Sequence, residues 1–137
     1  MFRHALFAIL LLVSSPALAP VPAAAQEIKP NLRHPCQDHW MLSRAEILAC
    51  LERDYKAADA ELNRVYQATL AELPPGQREK LRVSERDWLR RYDAVLTSYY
   101  STPWGNHSRV NVLPSQIQAV RDRTAWLKRY RPEGTGG

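Results

Sequence analysis

The stretch Cys50-Leu51-Glu52-Arg53-Asp54-Tyr55-Lys56-Ala57-Ala58-Asp59-Ala60-Glu61-Leu62-Asn63-Arg64-Val65-Tyr66 decides the fold. Tyr55, Ala58, Leu62, Val65 and Tyr66 recur at three- and four-residue steps, a spacing that puts them on one stripe of a helix. Asp59 and Asn63 stand one turn apart, close to the same stripe. An amphipathic helix needs only the stripe. Short polar side chains compete with the backbone for hydrogen bonds and form helices poorly, so the pair calls for a further reason.

Working outward, Ser43-Arg44-Ala45-Glu46 has the form of a capping box, with the Ser43 hydroxyl accepting from the Glu46 amide and Glu46 reaching back. A first helix is therefore expected from Ser43 to about Leu73, with Ile47, Leu48, Leu51, Leu70 and Leu73 extending the stripe. Pro74-Pro75-Gly76 stops it, since proline cannot continue the ladder and glycine permits a reversal. From about Gln77 to Tyr100, Leu81, Glu85, Trp88, Tyr92, Val95 and Tyr99 form a second seam, flanked by Leu89 and Leu96. Two long amphipathic helices joined by a short turn pack antiparallel. Ser101 to Pro114 reads as a polar loop, and Ser115 as the cap of a third helix ending near Tyr130. Ile117, Val120, Thr124, Leu127 and Tyr130 face inward on it. No repeat and no strand pattern is present. The expectation is an all-α, small three-helix bundle built on a long antiparallel helical hairpin, spanning residues 43–130.

The first 25 residues have the makings of a secretory signal. Arg3 and His4 open it, Ala5 to Val13 is apolar, and Ala23-Ala24-Ala25 offers a cleavage site before Gln26. The apolar run is shorter than the roughly 20 residues a membrane span needs, so the mature chain is expected to be exported, periplasmic or secreted, and not membrane-spanning. Residues 26–42 form a leader with no periodic pattern, and residues 131–137 a disordered tail. The mature part, roughly 110 residues, makes one small domain, which buries too little surface to dispense readily with a covalent staple. Cys36 and Cys50 are the only cysteines. An even number in an oxidising compartment is expected to be bonded. The formal net charge of +5, part of it in the signal, is a moderate basic bias with both signs interspersed. It suits solubility or contact with anionic envelope polymer rather than nucleic acid, which is not expected as a partner.

A cysteine, then Tyr55, then Ala58-Asp59-x-x-Leu62-Asn63-x-x-Tyr66 resembles the lysozyme-inhibitor LprI-like domain family of bacterial exported proteins. That family opens with two cysteines about a dozen residues apart, as Cys36 and Cys50 are. Its second helix carries Leu, Gln, Trp, Arg-Asp and Cys. Here Leu81 and Trp88 fit, Glu85 replaces the glutamine, Tyr92-Asp93 stands for Arg-Asp, and Leu96 occupies the third cysteine's place. Arg123 and Leu127 are spaced like a pair in the family's third helix. The family commonly has two bridges, so the resemblance implies a Ser101–Pro114 loop less tethered than usual. It also implies an inhibitor of lysozyme-type muramidases that works by binding.

Among individual residues, Tyr55, Asp59, Leu62, Asn63, Tyr66, Trp88 and Asp93 are read chiefly as structural. Asp59 and Asn63 share one helix face, and a buried carboxylate needs a partner, which Arg86, Arg90 or Arg91 could supply. His34, Cys36, His39 and Cys50 are metal-ligand types, but their spacing matches no common zinc pattern and a disulfide is the expected use. No cofactor is expected. No nucleophile-base arrangement or phosphate loop stands out, and a bundle this small offers no evident cleft, so no enzyme activity is expected. Tyr100, Trp104, Asn106, His107 and Arg109, aromatic rings beside polar groups, are the candidate partner-binding residues. Two functions follow. One is inhibition of a muramidase, His107 or Arg109 meeting its catalytic carboxylates, although a basic inhibitor is repelled at long range by a basic lysozyme. The other is a non-catalytic, structural envelope module contacting peptidoglycan, another anionic polymer or a partner protein.

Overall fold

The computed structural model describes residues 32–101 and 109–131. The expected signal segment, most of the leader, Trp104, Asn106, His107 and nearly all of the C-terminal tail lie outside the described residues. Three helices make up most of the described chain: α1 (Arg44–Glu72), α2 (Pro75–Ser101) and α3 (Arg109–Arg129). A short 3-10 turn, Pro35–Gln37, precedes them, so the end of the leader is more ordered than its composition suggests. Among the described residues there is no strand, and no helix is long and apolar enough to cross a membrane.

α1 starts where the capping box puts it. The Ser43 hydroxyl accepts from the Glu46 amide at 3.3 Å, and the Ser43 amide donates to the Glu46 carboxylate at 2.8 Å. Leu73 caps its end, and Pro75 opens α2, where a missing N–H costs nothing because the first turn leaves its donors unpaired anyway. A connection this short folds α2 back against α1, and α3 then runs alongside both.

The closest backbone approach is between α1 and α3. Ala58 and Ala119, both buried, are small enough to allow it. α2 stands further off because its inward side chains are large. Trp88 and Tyr92 stack with ring centroids 5.1 Å apart, and Tyr55, Tyr66 and Tyr99 pack around the same core with Leu62, Leu81, Val120 and Leu127. A second core fills the end of the bundle where α1 and α3 begin: Cys36, Leu51, Val110, Leu113 and Ile117. The Cys36–Cys50 disulfide pins the 3-10 turn there.

The third helix begins six residues before Ser115. Pro114 and Ser115 are inside it and buried, so neither the loop to Pro114 nor the Ser115 cap describes this segment. The physical reason is twofold. Val110, Val112 and Leu113 are apolar and gain by burial, two of them against Leu51 and the disulfide. Pro114 lacks the N–H that would serve the carbonyl of Val110, four residues earlier. That carbonyl accepts instead from the side-chain amide of Gln37 at 3.1 Å. Gln37→Ala is expected to cost about 1 kcal/mol or more, and distinctly less in a Pro114→Ala background, where the restored N–H serves the Val110 carbonyl and only the Gln37 cap on the His34 amide is lost. Urea denaturation of the four proteins measures this, and equal costs in both backgrounds would refute it.

Candidate functional site

Two features of the surface stand out, one at each level of the bundle. The first is at the disulfide end. His34 is buried, its Nδ1 accepting from the Cys36 amide at 3.3 Å and its Nε2 lying 3.6 Å from Asp54. The ligand atoms of His34, Cys36 and Asp54 lie within 4.8 Å of one another, but the Cys36 sulfur is committed to Cys50. Between the two cysteines the chain passes through a turn, the Leu42 amide donating to the His39 carbonyl at 3.1 Å. On that turn Trp40 is 90% exposed and Met41 76% exposed. The tryptophan stands on a segment held at both ends, by a disulfide and a capping box, and takes no part in either core. Composition alone does not reveal it. The signal that could have was Trp-Met next to the Ser43 cap, outside any helical stripe.

Of the sequence candidates, Tyr100 is exposed near the end of α2 and so at the same end of the bundle. Arg109 is no loop residue. It is the first residue of α3, and its guanidinium pairs with Glu52 of α1 at 3.1 Å.

The second feature is a groove of about 390 Å³ between α1 and α2. Tyr55, Asp59, Leu62, Asn63 and Tyr66 line it from α1, with Arg82, Glu85, Arg86, Trp88, Leu89 and Tyr92 from α2 and Val120 from α3. The stripe that decides the fold is thus also one wall of a cavity, opened because the aromatic residues hold α2 away. Asp93 lies outside it, exposed on α2. Asn63 donates to the Asp59 backbone carbonyl at 3.1 Å and to its carboxylate at 3.4 Å. Two of the three arginines expected to meet Asp59 are engaged elsewhere, Arg86 with Glu79 at 3.2 Å and Arg90 with Asp87.

Beneath the groove Arg123 of α3 is the polar centre of the core. Its side chain is 4% exposed, and it donates twice to Glu85, at 2.9 Å from Nε and 2.8 Å from Nη2, and to the Ser84 hydroxyl at 3.1 Å. The guanidinium lies 4.0 Å over the Trp126 ring. Burial pulls its pKa down and Glu85 opposes that. Tyr92 is 8% exposed and its hydroxyl, beside Tyr55 and Gln116, sits at hydrogen-bonding geometry to neither. Burial pushes that phenol well above its ordinary value.

The family model of lysozyme inhibitor LprI matches residues 36–127, from the first cysteine to the last buried leucine of α3. The chain belongs to the LprI family. The LprI match takes in the disulfide, the groove and the Arg123–Glu85 pair. An uncharacterized protein of Rhizobium meliloti (strain 1021) is 31% identical over 121 residues, covering 78% of this chain and 83% of its own. No solved structure matches the chain. Among the described residues, Asp59 has a side-chain hydrogen bond only from Asn63.

Proposed function

We propose that this protein is exported and acts, without catalysis, by binding a muramidase-type enzyme with the disulfide end of the bundle. The exposed Trp40-Met41 turn carries the reading, and the family's description as lysozyme inhibitors supports it. A muramidase cleft is a sugar-binding groove with two carboxylates across the bond it cuts. A rigid indole fits such a groove at low entropic cost, because the staple has already ordered the loop. His39 and Arg44, exposed on either side of the turn, are the groups to meet the carboxylates, with Tyr100 nearby.

The test is lysozyme-driven clearing of a cell-wall suspension. About a tenfold molar excess of mature protein should slow it, and Trp40→Ala should lower the inhibitory potency at least about tenfold, the scale of a hot-spot truncation. No protection against any of several lysozyme types sinks the inhibitor reading. Full potency of Trp40→Ala moves the binding surface elsewhere. Salt gives an independent check. Association with a basic lysozyme should quicken as salt screens the repulsion, whereas binding to an anionic polymer would weaken.

A further inference from the structure

We propose that the groove between α1 and α2 binds a small zwitterion of the short-peptide class, with its amino group at Asp59 and its carboxylate at Arg82 and Arg86. This site is separate from the Trp40 turn and does not depend on the inhibitor reading.

Two observations carry it. Asp59 puts a half-buried carboxylate into the groove, and its one hydrogen bond from a described residue comes from a neutral amide, Asn63. A carboxylate in such a place favours a cation. Toward the hairpin turn the balance reverses. Arg82 and Arg86 share the single carboxylate of Glu79, at 3.5 and 3.2 Å, and Glu85 is taken by Arg123. One end of the groove is therefore negative and the other positive.

The dimensions limit the ligand. Tyr66, beside Arg82, is seven residues along α1 from Asp59, or about 10 Å at the helical rise. An extended peptide advances about 3.3 Å per residue, so two or three residues span the two charges. A volume of about 390 Å³ lies at the small end of ligand sites and excludes a folded segment. Tyr55, Tyr66 and Leu89 offer apolar surface to the ligand's side chains.

The probe is trialanine, with N-acetylated and C-amidated trialanine as controls, added to the mature oxidised protein and followed by calorimetry and by NMR shifts of the Trp88 indole. Trialanine is expected to shift Trp88 with millimolar or tighter affinity, and each blocked form to bind at least about tenfold more weakly. Asp59→Asn should abolish the preference for a free amine. No Trp88 shift at about 10 mM trialanine, or equal binding of blocked and unblocked forms, overturns the proposal. Lysozyme inhibition by Asp59→Asn should equal that of the wild type, so the two readings fail separately.

Discussion

Replacing Arg123 by alanine is expected to destabilise the fold by about 3–5 kcal/mol, the largest effect of any single substitution considered. The side chain is 4% exposed and its partner Glu85 12% exposed, so the truncation leaves a carboxylate in the core with no cation. It also removes the donor to Ser84 and the guanidinium stacked on Trp126. For a domain of this size that is a drop in Tm of some 12 °C or more. Arg123→Lys should recover only part of the loss, because an ammonium has neither the fork that meets Glu85 with two donors nor the flat face. The informative variant is the double replacement Arg123→Met with Glu85→Leu. Most of the penalty is the stranded charge, so removing both partners should restore stability to within about 1–2 kcal/mol of wild type. Urea midpoints at unchanged slope measure all four corners of the cycle. Additive losses would show that the pair is not coupled, and the assignment of Arg123 as the polar centre would fail.

The second large effect is expected on loss of the Cys36–Cys50 disulfide. The bond joins residues 14 apart, and freeing a loop of that size in the unfolded chain costs about 3 kcal/mol on the chain-entropy account. That corresponds to roughly 12–24 °C in Tm. A local consequence adds to it. The bridge holds the 3-10 turn from which Gln37 reaches the Val110 carbonyl, so its loss exposes the carbonyl that Pro114 cannot serve. Amide exchange should therefore quicken in the first two turns of α3 before it does in the middle of α1. Reduction, or Cys36→Ser with Cys50→Ser, provides the comparison. A fall of less than about 5 °C would mean that the turn is held by its packing and not by the bond. On the proposed inhibitor reading, potency against lysozyme should fall further than stability explains, because the Trp40 turn loses its preorganisation.

The helical hairpin was legible because its signals are local. The Ser43 box, the stripe from Ile47 to Leu73 and the proline stop act within a turn or two of their own position and end and begin α1 as expected, although Pro75 and Gly76 belong to the first turn of α2 and not to a separate reversal. The start of α3 was not legible, since Pro114 is an honest loop signal until Gln37, remote in sequence, supplies the missing donor. Arg123 and Glu85 were half visible. Each interrupts an apolar stripe, Arg123 between Val120 and Leu127 and Glu85 between Leu81 and Trp88, with opposite charge. A charge in each of two inward faces predicts a buried pair. Trp40 was legible only through its place beside the Ser43 cap, outside any stripe; an indole is equally suited to a core, and the path of the chain is what leaves it outside.

The sequence by itself determined the two hairpin helices, the Ser43 cap, the staple and the family, all of which rest on short-range hydrogen bonding and on residue spacing along one chain. Only the tertiary structure decided that Asp59 and Asn63 stand at an open groove and that the proline-bearing segment is helical. The reason is physical: small residues let α3 settle close on α1 while bulky aromatics hold α2 away, and that difference in spacing is a property of pairs of helices, written in neither one alone.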